Sequence, residues 1–255
     1  MILIISPAKN INESIDFNSE SLSATRFDSY SKALLKKMKT VDVNELMSLM
    51  KISENLAQLN YQRYQQMEYP FADYKLLPAL LAFNGAVFQS MNAKIFSEEE
   101  WSFAQEKLRI LSGFYGLLRP LDGILPYRLE MGTKLQIGNN KNLYSFWGNK
   151  IKEQLQSDIN DNGDDVLINL ASNEYYKAVV AKEMTARIIT PSFKEYKDGK
   201  YKMIAIYAKM ARGLMSNYII KNRIQNPDEI KLFNFDGYSY NDKLSDNDNW
   251  TFTRG

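Results

Sequence analysis

Two short runs of consecutive aliphatic residues each predict a buried β-strand. The first is Ile2–Ile5, which ends at Ser6-Pro7, and the second is Val166–Leu170. Unbroken apolar runs of this length, bounded by turn residues, are typical of strands that are covered on both faces. Lys9 lies in the loop after the first strand, where parallel sheets often line a ligand crevice. A solvated loop lysine is the alternative.

Apolar residues at three- and four-residue spacing predict helices within residues 28–67, and the pattern resumes over residues 79–91. Asp42 with Glu45 has the spacing of a capping box, and Ser53 is a second start signal. The same spacing in Ser97 and Glu100 predicts another helix start. This helix is expected to carry four apolar residues on one face: Trp101, Ala104, Leu108 and Leu111.

Residues 108–132 interrupt an apolar run with glycines, prolines and arginines. Glycine lets backbone N–H groups approach a phosphate closely, as in helix-hairpin-helix elements. Together with the preceding helix, residues 98–120 therefore predict such an element, with Ser112, Gly113, Gly116 and Arg119 as anion-binding candidates. However, Gly113 and Gly116 are three residues apart, whereas such hairpins normally have glycines two apart. A tight turn packed against the core is the alternative.

The second half of the chain predicts further helices over residues 143–159 and 209–220. Between them, residues 187–191 and 201–207 predict strands, joined through the hairpin signal Asp198-Gly199. The tail predicts an edge strand. The alternation of strands and helices, with no repeat or long linker, indicates an α/β (mixed α+β) fold. We expect one domain over residues 1–255, with a twisted central sheet surrounded by helices.

The composition excludes several kinds of chemistry. The chain of 255 residues contains no cysteine and no histidine. Thiol nucleophiles, disulfides, Ser-His catalysis and His- or Cys-based metal sites are therefore ruled out. We expect no metal site and no cofactor. Any catalysis would depend on carboxylates, lysine, arginine, tyrosine or backbone groups.

The apolar run at the N-terminus is too short to be the core of a signal peptide. Elsewhere, no run reaches the ~20 apolar residues that a membrane-spanning helix needs. A cytoplasmic protein without a membrane partner is expected.

Charge is unevenly distributed along the chain. The net charge is only +2, but residues 194–223 hold eight basic and two acidic residues. Residues 228–248 hold six acidic and two basic residues. Such charge runs suit either a binding surface or an ordinary solvated face.

A second group of candidates could bind an anion through cationic side chains. Arg119, Arg128, Arg212 and Lys9 each lie near a glycine, a proline or a strand end, and arginine suits phosphate or carboxylate. Lys209 precedes Arg212 by about one helical turn. Glu130 either pairs with Arg128 or acts as a general acid or base.

A third group follows the second predicted strand. Asn169, Ser172, Glu174 and Tyr175 could contact a nucleobase or ribose. Alternatively, Ser172 caps a helix and Glu174 favours its dipole. The candidate catalytic residues are thus Lys9, Glu130 and Glu174.

Taken in order, these motifs resemble the YaaA peroxide-stress family. The resemblance rests on five segments: Ser6-Pro7-Ala8-Lys9, residues 111–122, residues 126–132, residues 169–175 and residues 208–213. It covers nearly the whole chain. It implies a cytosolic protein that limits unincorporated iron under peroxide stress, with a positively charged cleft and a helix-hairpin-helix-like element. It also implies binding of duplex and branched DNA, with Lys9, Arg119, Arg128, Lys209 and Arg212 at family motif positions.

Three hypotheses follow. The first is a DNA-binding stress protein that holds phosphates independently of sequence. The second is an enzyme acting on a nucleobase, nucleotide or other small anionic metabolite through Lys9, Arg128 and Glu130. The third is an interaction protein whose basic and acidic regions meet in a homodimer. We rank the DNA-binding protein first and expect a monomer.

Overall fold

The two aliphatic runs form adjacent parallel strands in the computed structural model of the chain, which describes residues 1–71 and 74–255. Strand β1 (Ile2–Ile5) pairs with β8 (Val166–Leu170), with Ile5 opposite Leu170. Every residue of both strands is buried, as predicted. Because the strands are parallel and in this register, their carboxyl ends meet at one edge of the sheet.

The other strands of the central sheet flank this pair. They are β5 (Leu108–Ser112), β6 (Gly116–Leu118), β9 (Arg187–Lys197), β10 (Lys200–Lys202), β11 (Ser239–Tyr240) and β12 (Asn249–Arg254). Within the described part of the chain, the sheet has eight strands in the order β11-β12-β9-β8-β1-β5-β6, with β10 beside β9. Parallel pairs in the centre and antiparallel pairs at both sides make it a mixed sheet, which confirms the predicted α/β class.

The strand order creates a crevice beside β1. The chain passes from β1 to β5 on one side and later returns to β8 on the other side. In open α/β sheets, ligands bind outside the carboxyl ends of the strands at the point where the order reverses in this way. Among the residues described, two short antiparallel pairs lie outside the sheet: β2 (Asn10–Ile11) with β4 (Phe83–Asn84), and β3 (Leu77–Pro78) with β7 (Gly123–Ile124).

Helices cover the sheet. The α-helices are α1 (Asp28–Met38), α2 (Val43–Met50), α3 (Glu54–Gln66), α4 (Ala79–Ala82), α5 (Ala86–Met91), α6 (Glu98–Lys107), α7 (Leu143–Trp147), α8 (Lys150–Asp161), α9 (Asn173–Tyr176) and α10 (Ala205–Lys221). Short 3₁₀ helices occupy Ser19–Ser21, Ala93–Ile95, Lys177–Val179, Ala181–Glu183, Pro227–Leu232, Phe235–Gly237 and Asp242–Leu244. Asp42 with Glu45, and Ser97 with Glu100, form the predicted capping boxes. Residues from both halves of the chain share one hydrophobic core.

The glycine-rich segment differs from the sequence prediction. Helix α6 ends at Lys107, and Leu108–Ser112 is a buried strand whose partner is β6. The predicted helical face through Leu108 and Leu111 is therefore wrong. The predicted helix-hairpin-helix-like element at residues 98–120 is a β-hairpin preceded by a helix. The reason is that residues 108–111 are buried between β1 and β6, so tertiary pairing decided their conformation.

The structure also differs from the sequence prediction at two element boundaries and in the place of the last strand. Gly148, at a φ of 49°, divides residues 143–159 into α7 and α8. The strand predicted over residues 201–207 ends at Lys202, and α10 begins at Ala205. The final strand β12 was predicted at the edge of the sheet but lies inside it, because β11 covers its outer side.

The predicted Asp198-Gly199 hairpin is confirmed: both residues have a positive φ, as a tight two-residue turn requires. No helix in the described ranges combines the length and apolar character needed to cross a bilayer.

Candidate functional site

A cavity of about 300 Å³ lies at the carboxyl ends of β1 and β8. Five of the charged candidates from the sequence line it: Lys9, Glu130, Glu174, Lys209 and Arg212. These residues are separated by up to two hundred positions in the chain, and the strand order brings them together. We call this cavity the strand-end pocket.

The floor of the strand-end pocket is formed where the loops after β1 and β8 meet. The Ser172 backbone N–H donates to Ser6 Oγ over 2.9 Å, and Ser6 Oγ lies 3.2 Å from Ser172 Oγ. Ser172 occupies the N-cap position of α9, as the alternative reading of the sequence expected, but its side chain makes no capping hydrogen bond. Asn169 is buried; its side chain donates to Thr190 Oγ1 and accepts from the Ala171 N–H, which is a structural role.

Gly113 positions the acidic wall of the strand-end pocket. A Cβ on this residue would lie 2.2 Å from the Leu129 carbonyl oxygen, which is closer than any side chain tolerates. The glycine therefore lets the segment before Glu130 cross directly over the end of β5. The buried Tyr64 hydroxyl fixes the same segment by donating to the Arg128 carbonyl oxygen over 2.7 Å.

Glu130 contacts two cations but has incomplete hydrogen bonding. Its Oε1 lies 2.9 Å from Arg128 Nη2 and 3.4 Å from Lys9 Nζ, so the predicted Arg128–Glu130 ion pair is present. Both carboxylate oxygens are buried, and neither accepts a hydrogen bond from any residue that the structure describes. Arg128 lies behind Glu130, whereas the Lys9 side chain is 66% exposed at the mouth of the pocket.

Glu174 forms the opposite wall from the first turn of α9. Its Oε1 accepts from the Gly132 N–H over 2.9 Å, and its carbonyl oxygen accepts from the Tyr144 hydroxyl over 2.8 Å. The neighbouring Tyr175 is buried, and burial raises the pKa of its hydroxyl well above the ordinary value. Tyr175 is therefore neutral at physiological pH and contributes an aromatic wall.

Helix α10 supplies the cationic side. Lys209 and Arg212 are about one turn apart on this helix, as predicted, and both face the pocket. Arg212 Nε is buried and has no hydrogen-bond partner among the residues described. Burial lowers the pKa of the guanidinium below its ordinary value, with no acidic neighbour to offset the effect among those same residues.

The other anion-binding candidates lie outside the strand-end pocket. Ser112 is fully buried, and its hydroxyl contacts the Tyr127 hydroxyl and accepts from two backbone N–H groups. Gly116, at a φ of 74°, faces Trp147 in the core. Arg119 is tied to Asp122 and to the Ala24 carbonyl oxygen. These surroundings favour structural roles, and phosphate contact at Ser112, Gly113, Gly116 and Arg119 stays a prediction.

A larger cavity of about 860 Å³ lies near Arg26, Arg109 and Arg119. Arg26 and Arg109 are both paired with the buried Asp158, and Arg119 is paired with Asp122. Each of its arginines already has a carboxylate partner within the protein. The strand-end pocket, which contains the unpartnered Arg212 Nε, is therefore the better candidate for a binding site despite its smaller volume.

A basic and aromatic surface lies on the hairpin that precedes α10. Tyr196 and Tyr201 are cross-strand partners, with ring centroids 5.2 Å apart and exposures of 54% and 37%. The exposed Lys197 and Lys200 flank them. We call the exposed part of residues 194–202, together with Met203, Ile206, Tyr207 and Met210, the hairpin surface.

The lysines of the hairpin surface are part of the basic segment predicted over residues 194–223, whereas its tyrosines were not predicted. The alternation of lysine and tyrosine in residues 194–202 was the signal in the sequence that could have indicated this surface. Asn84 and Gly85, which line the strand-end pocket opposite Ala8, were not predicted as pocket residues either. The break that these two residues make in the helical pattern of residues 79–91 was the only local indication of them.

Comparison with known proteins identifies the family. A family model described as Peroxide stress protein YaaA matches residues 1–244. A UPF0246 protein of Saccharophagus degradans is 45% identical over 254 residues, which cover 100% of this chain and 99% of the relative. UPF0246 proteins of Hahella chejuensis and Clostridium perfringens are 46% and 44% identical, over 100% of this chain and 99% and 100% of their own lengths. The chain therefore belongs to the YaaA peroxide stress protein family.

Proposed function

We propose that this protein is a DNA-binding member of the peroxide stress family that binds duplex and branched DNA without sequence specificity. Phosphates contact the hairpin surface and the cations at the mouth of the strand-end pocket, which together form the positively charged cleft. The cytosolic location and the limitation of unincorporated iron that the family resemblance implies are part of the same proposal.

The observation that carries the proposal is the combination of lysines with exposed tyrosines on the hairpin surface. Lys197, Lys200 and Lys202 lie beside the exposed pair Tyr196 and Tyr201. Proteins that bind nucleic acid without sequence preference combine cations for the backbone with aromatic side chains on which unpaired bases stack. Branched DNA offers both kinds of group, because its junctions expose bases beside continuous phosphate backbones.

The direction of α10 links the hairpin surface to the pocket. The first turns of the helix carry exposed Ile206 and Tyr207, and the next turns carry Lys209 and Arg212. Arg254 stacks on the Tyr207 ring at 4.9 Å and pairs with Glu195 at 2.8 Å, so the start of the helix is held against the hairpin. In this proposal the DNA backbone runs from the hairpin along α10 to Lys9 at the pocket mouth.

Fluorescence anisotropy of labelled duplex and four-way-junction DNA across a salt series tests the proposal. Neutralisation of about six phosphates predicts that affinity falls roughly a thousandfold between ~50 and ~200 mM salt. Unrelated sequences of equal length are expected to bind equally, since phosphate contacts carry no sequence information. Absence of binding at low salt, or an affinity that does not change with salt, would contradict it.

The cellular part of the proposal has a separate test. The chain has no cysteine or histidine, so neither thiol scavenging of peroxide nor His- or Cys-based iron chelation is available to it. We therefore propose that control of iron and protection against oxidative damage depend on DNA binding. A strain in which a variant defective in DNA binding replaces the wild type should lose peroxide resistance. Full resistance in that strain would separate the two activities.

A further inference from the structure

Arg212 lines a cavity and has no carboxylate partner in residues 1–71 and 74–255. Its Nε is buried and, among the residues that the structure describes, has no hydrogen-bond partner. A buried guanidinium is costly unless it is paired and hydrogen-bonded. Gly213 keeps the side chain at this place, because it allows α10 to lie against the Val87 carbonyl oxygen. The fold therefore holds a partly buried cation, with its Nε shielded from solvent, in position for an anion that comes from outside the chain.

The volume of the strand-end pocket limits what that anion can be. About 300 Å³ is at the lower end of the range for small-molecule sites. A duplex is too wide to enter such a cavity, so contact with DNA at the mouth does not fill it. The pocket has room for one small molecule or for a single nucleotide.

The remaining walls select for more than charge. Glu130 Oε1 has ion-pair contacts with Arg128 and Lys9, but neither buried carboxylate oxygen accepts a well-formed hydrogen bond from the described residues. A bound molecule with hydroxyl or amino groups would supply the missing hydrogen bonds. Val87, Phe88 and Tyr175 provide apolar and aromatic surface. Such a combination suits a planar base or sugar between the acidic wall and the aromatic side chains.

We propose that the strand-end pocket binds a phosphomonoester of the size of one nucleotide. The phosphate contacts Arg212 and Lys209, and donor groups of the sugar or base contact Glu130. Arginine presents a planar set of donors that matches two phosphate oxygens at once, which lysine alone does not. The ligand is either a free nucleoside monophosphate or the phosphorylated end of a DNA strand. This site does not depend on duplex binding by the hairpin surface.

Isothermal titration calorimetry with deoxyadenosine monophosphate, deoxyadenosine and inorganic phosphate tests this site. We expect the monophosphate to bind at least tenfold more tightly than either of the other two, because each lacks one half of the recognised groups. Arg212→Met should raise the dissociation constant of the monophosphate by about tenfold to a hundredfold. Lys221→Met, on the same helix outside the pocket, is the matched control and should bind as the wild type does.

Two further measurements keep the test decisive. Thermal unfolding establishes that Arg212→Met is folded, and Lys209→Met takes its place if it is not. A monophosphate that fails to bind the wild type at millimolar concentration would overturn the proposal, as would equal binding to the wild type and a folded pocket variant. Inorganic phosphate binding as tightly as the nucleotide would also overturn it.

The source of the phosphate is decided by comparing duplexes that carry a 5′-phosphate or a 5′-hydroxyl end. A preference for the phosphorylated end that Arg212→Met removes assigns the pocket to DNA ends. Binding of the monophosphate without such a preference assigns it to free nucleotides. Because the hairpin variant Lys197→Ala/Lys200→Ala leaves the pocket intact, it should bind the monophosphate normally. Failure of duplex binding and failure of the pocket are therefore distinguishable.

Discussion

Gly213 lies against the backbone of Val87 so closely that a Cβ on the glycine would be 2.1 Å from the Val87 carbonyl oxygen. Ser90 Cβ is the next obstacle, at 2.9 Å. This contact joins the long helix α10 to the short helix α5, both of which line the strand-end pocket. The glycine therefore sets the distance between the cations of one helix and the apolar wall of the other.

Gly213→Ala is expected to destabilise the protein by about 1–3 kcal/mol, because the helices must separate to admit the methyl group. In an exposed helix interior the same change stabilises by roughly 0.5–1 kcal/mol. The sign of the effect therefore tests the contact. Denaturant unfolding measures it, and Met210→Ala on an exposed position of α10 should change stability by less than about 1 kcal/mol. A stabilised Gly213→Ala variant would show that α10 can move away at no cost.

Arg119 is expected to stabilise the fold rather than to bind DNA. Its guanidinium donates to the fully buried Asp122, with Nη2 2.9 Å from Oδ1. Arg119→Ala leaves this carboxylate partly unpaired and should cost roughly 1–3 kcal/mol. The exposed pair Arg187–Asp248 provides the comparison, and Arg187→Ala should cost no more than about 1 kcal/mol. A stable Arg119→Ala variant with a reduced salt dependence of DNA binding would reverse this assignment.

Asp158 is expected to make stability depend on pH in the acid range. Burial raises the pKa of this carboxyl, but the adjacent Arg109 and Arg26 lower it by more, so the folded value lies below the ordinary one. A depressed folded pKa contributes stability above the unfolded value of about 4, and this stability is lost as pH falls through the folded value. Wild-type unfolding followed between about pH 6 and 2 should show that loss.

Asp158→Asn tests the same ion pairs directly. It leaves two arginines without their carboxylate and should destabilise the protein by about 3 kcal/mol at neutral pH. The acid-dependent loss should also become smaller, because the titrating group is gone. Asp161→Asn on the exposed side of the same helix is the control and should change little. An unchanged pH profile in Asp158→Asn would assign the acid sensitivity to another group.

Local signals in the sequence predicted a large part of the fold. Ile2–Ile5 and Val166–Leu170 are unbroken aliphatic runs, and the capping boxes at Asp42 and Ser97 need only residues three positions apart. Asp198-Gly199 is equally local, since a tight turn with two positive φ angles favours this pair. Each of these features depends on neighbours in the chain, which periodicity and turn chemistry describe.

Features that depend on distant contacts were not predictable in the same way. Leu108 and Leu111 fit a helical spacing, yet pairing with β1 and β6 makes them part of a strand. The need for glycine at position 213 depends on Val87, more than a hundred residues earlier. The pocket candidates could be identified by residue type, but the parallel register of β1 and β8 is needed to bring Lys9 near Glu174. The contact of Gly213 with Val87 then places Arg212 beside them.

The hairpin surface is the centre of the DNA-binding proposal, and the salt dependence of duplex affinity measures its contribution most directly. Lys197→Ala/Lys200→Ala removes two exposed charges there. It should lower the slope of log affinity against log salt by about two relative to the wild type. Lys36→Ala/Lys243→Ala removes two exposed charges elsewhere and should leave the slope unchanged. Equal slopes for the hairpin variant and the wild type would contradict binding of DNA through this surface.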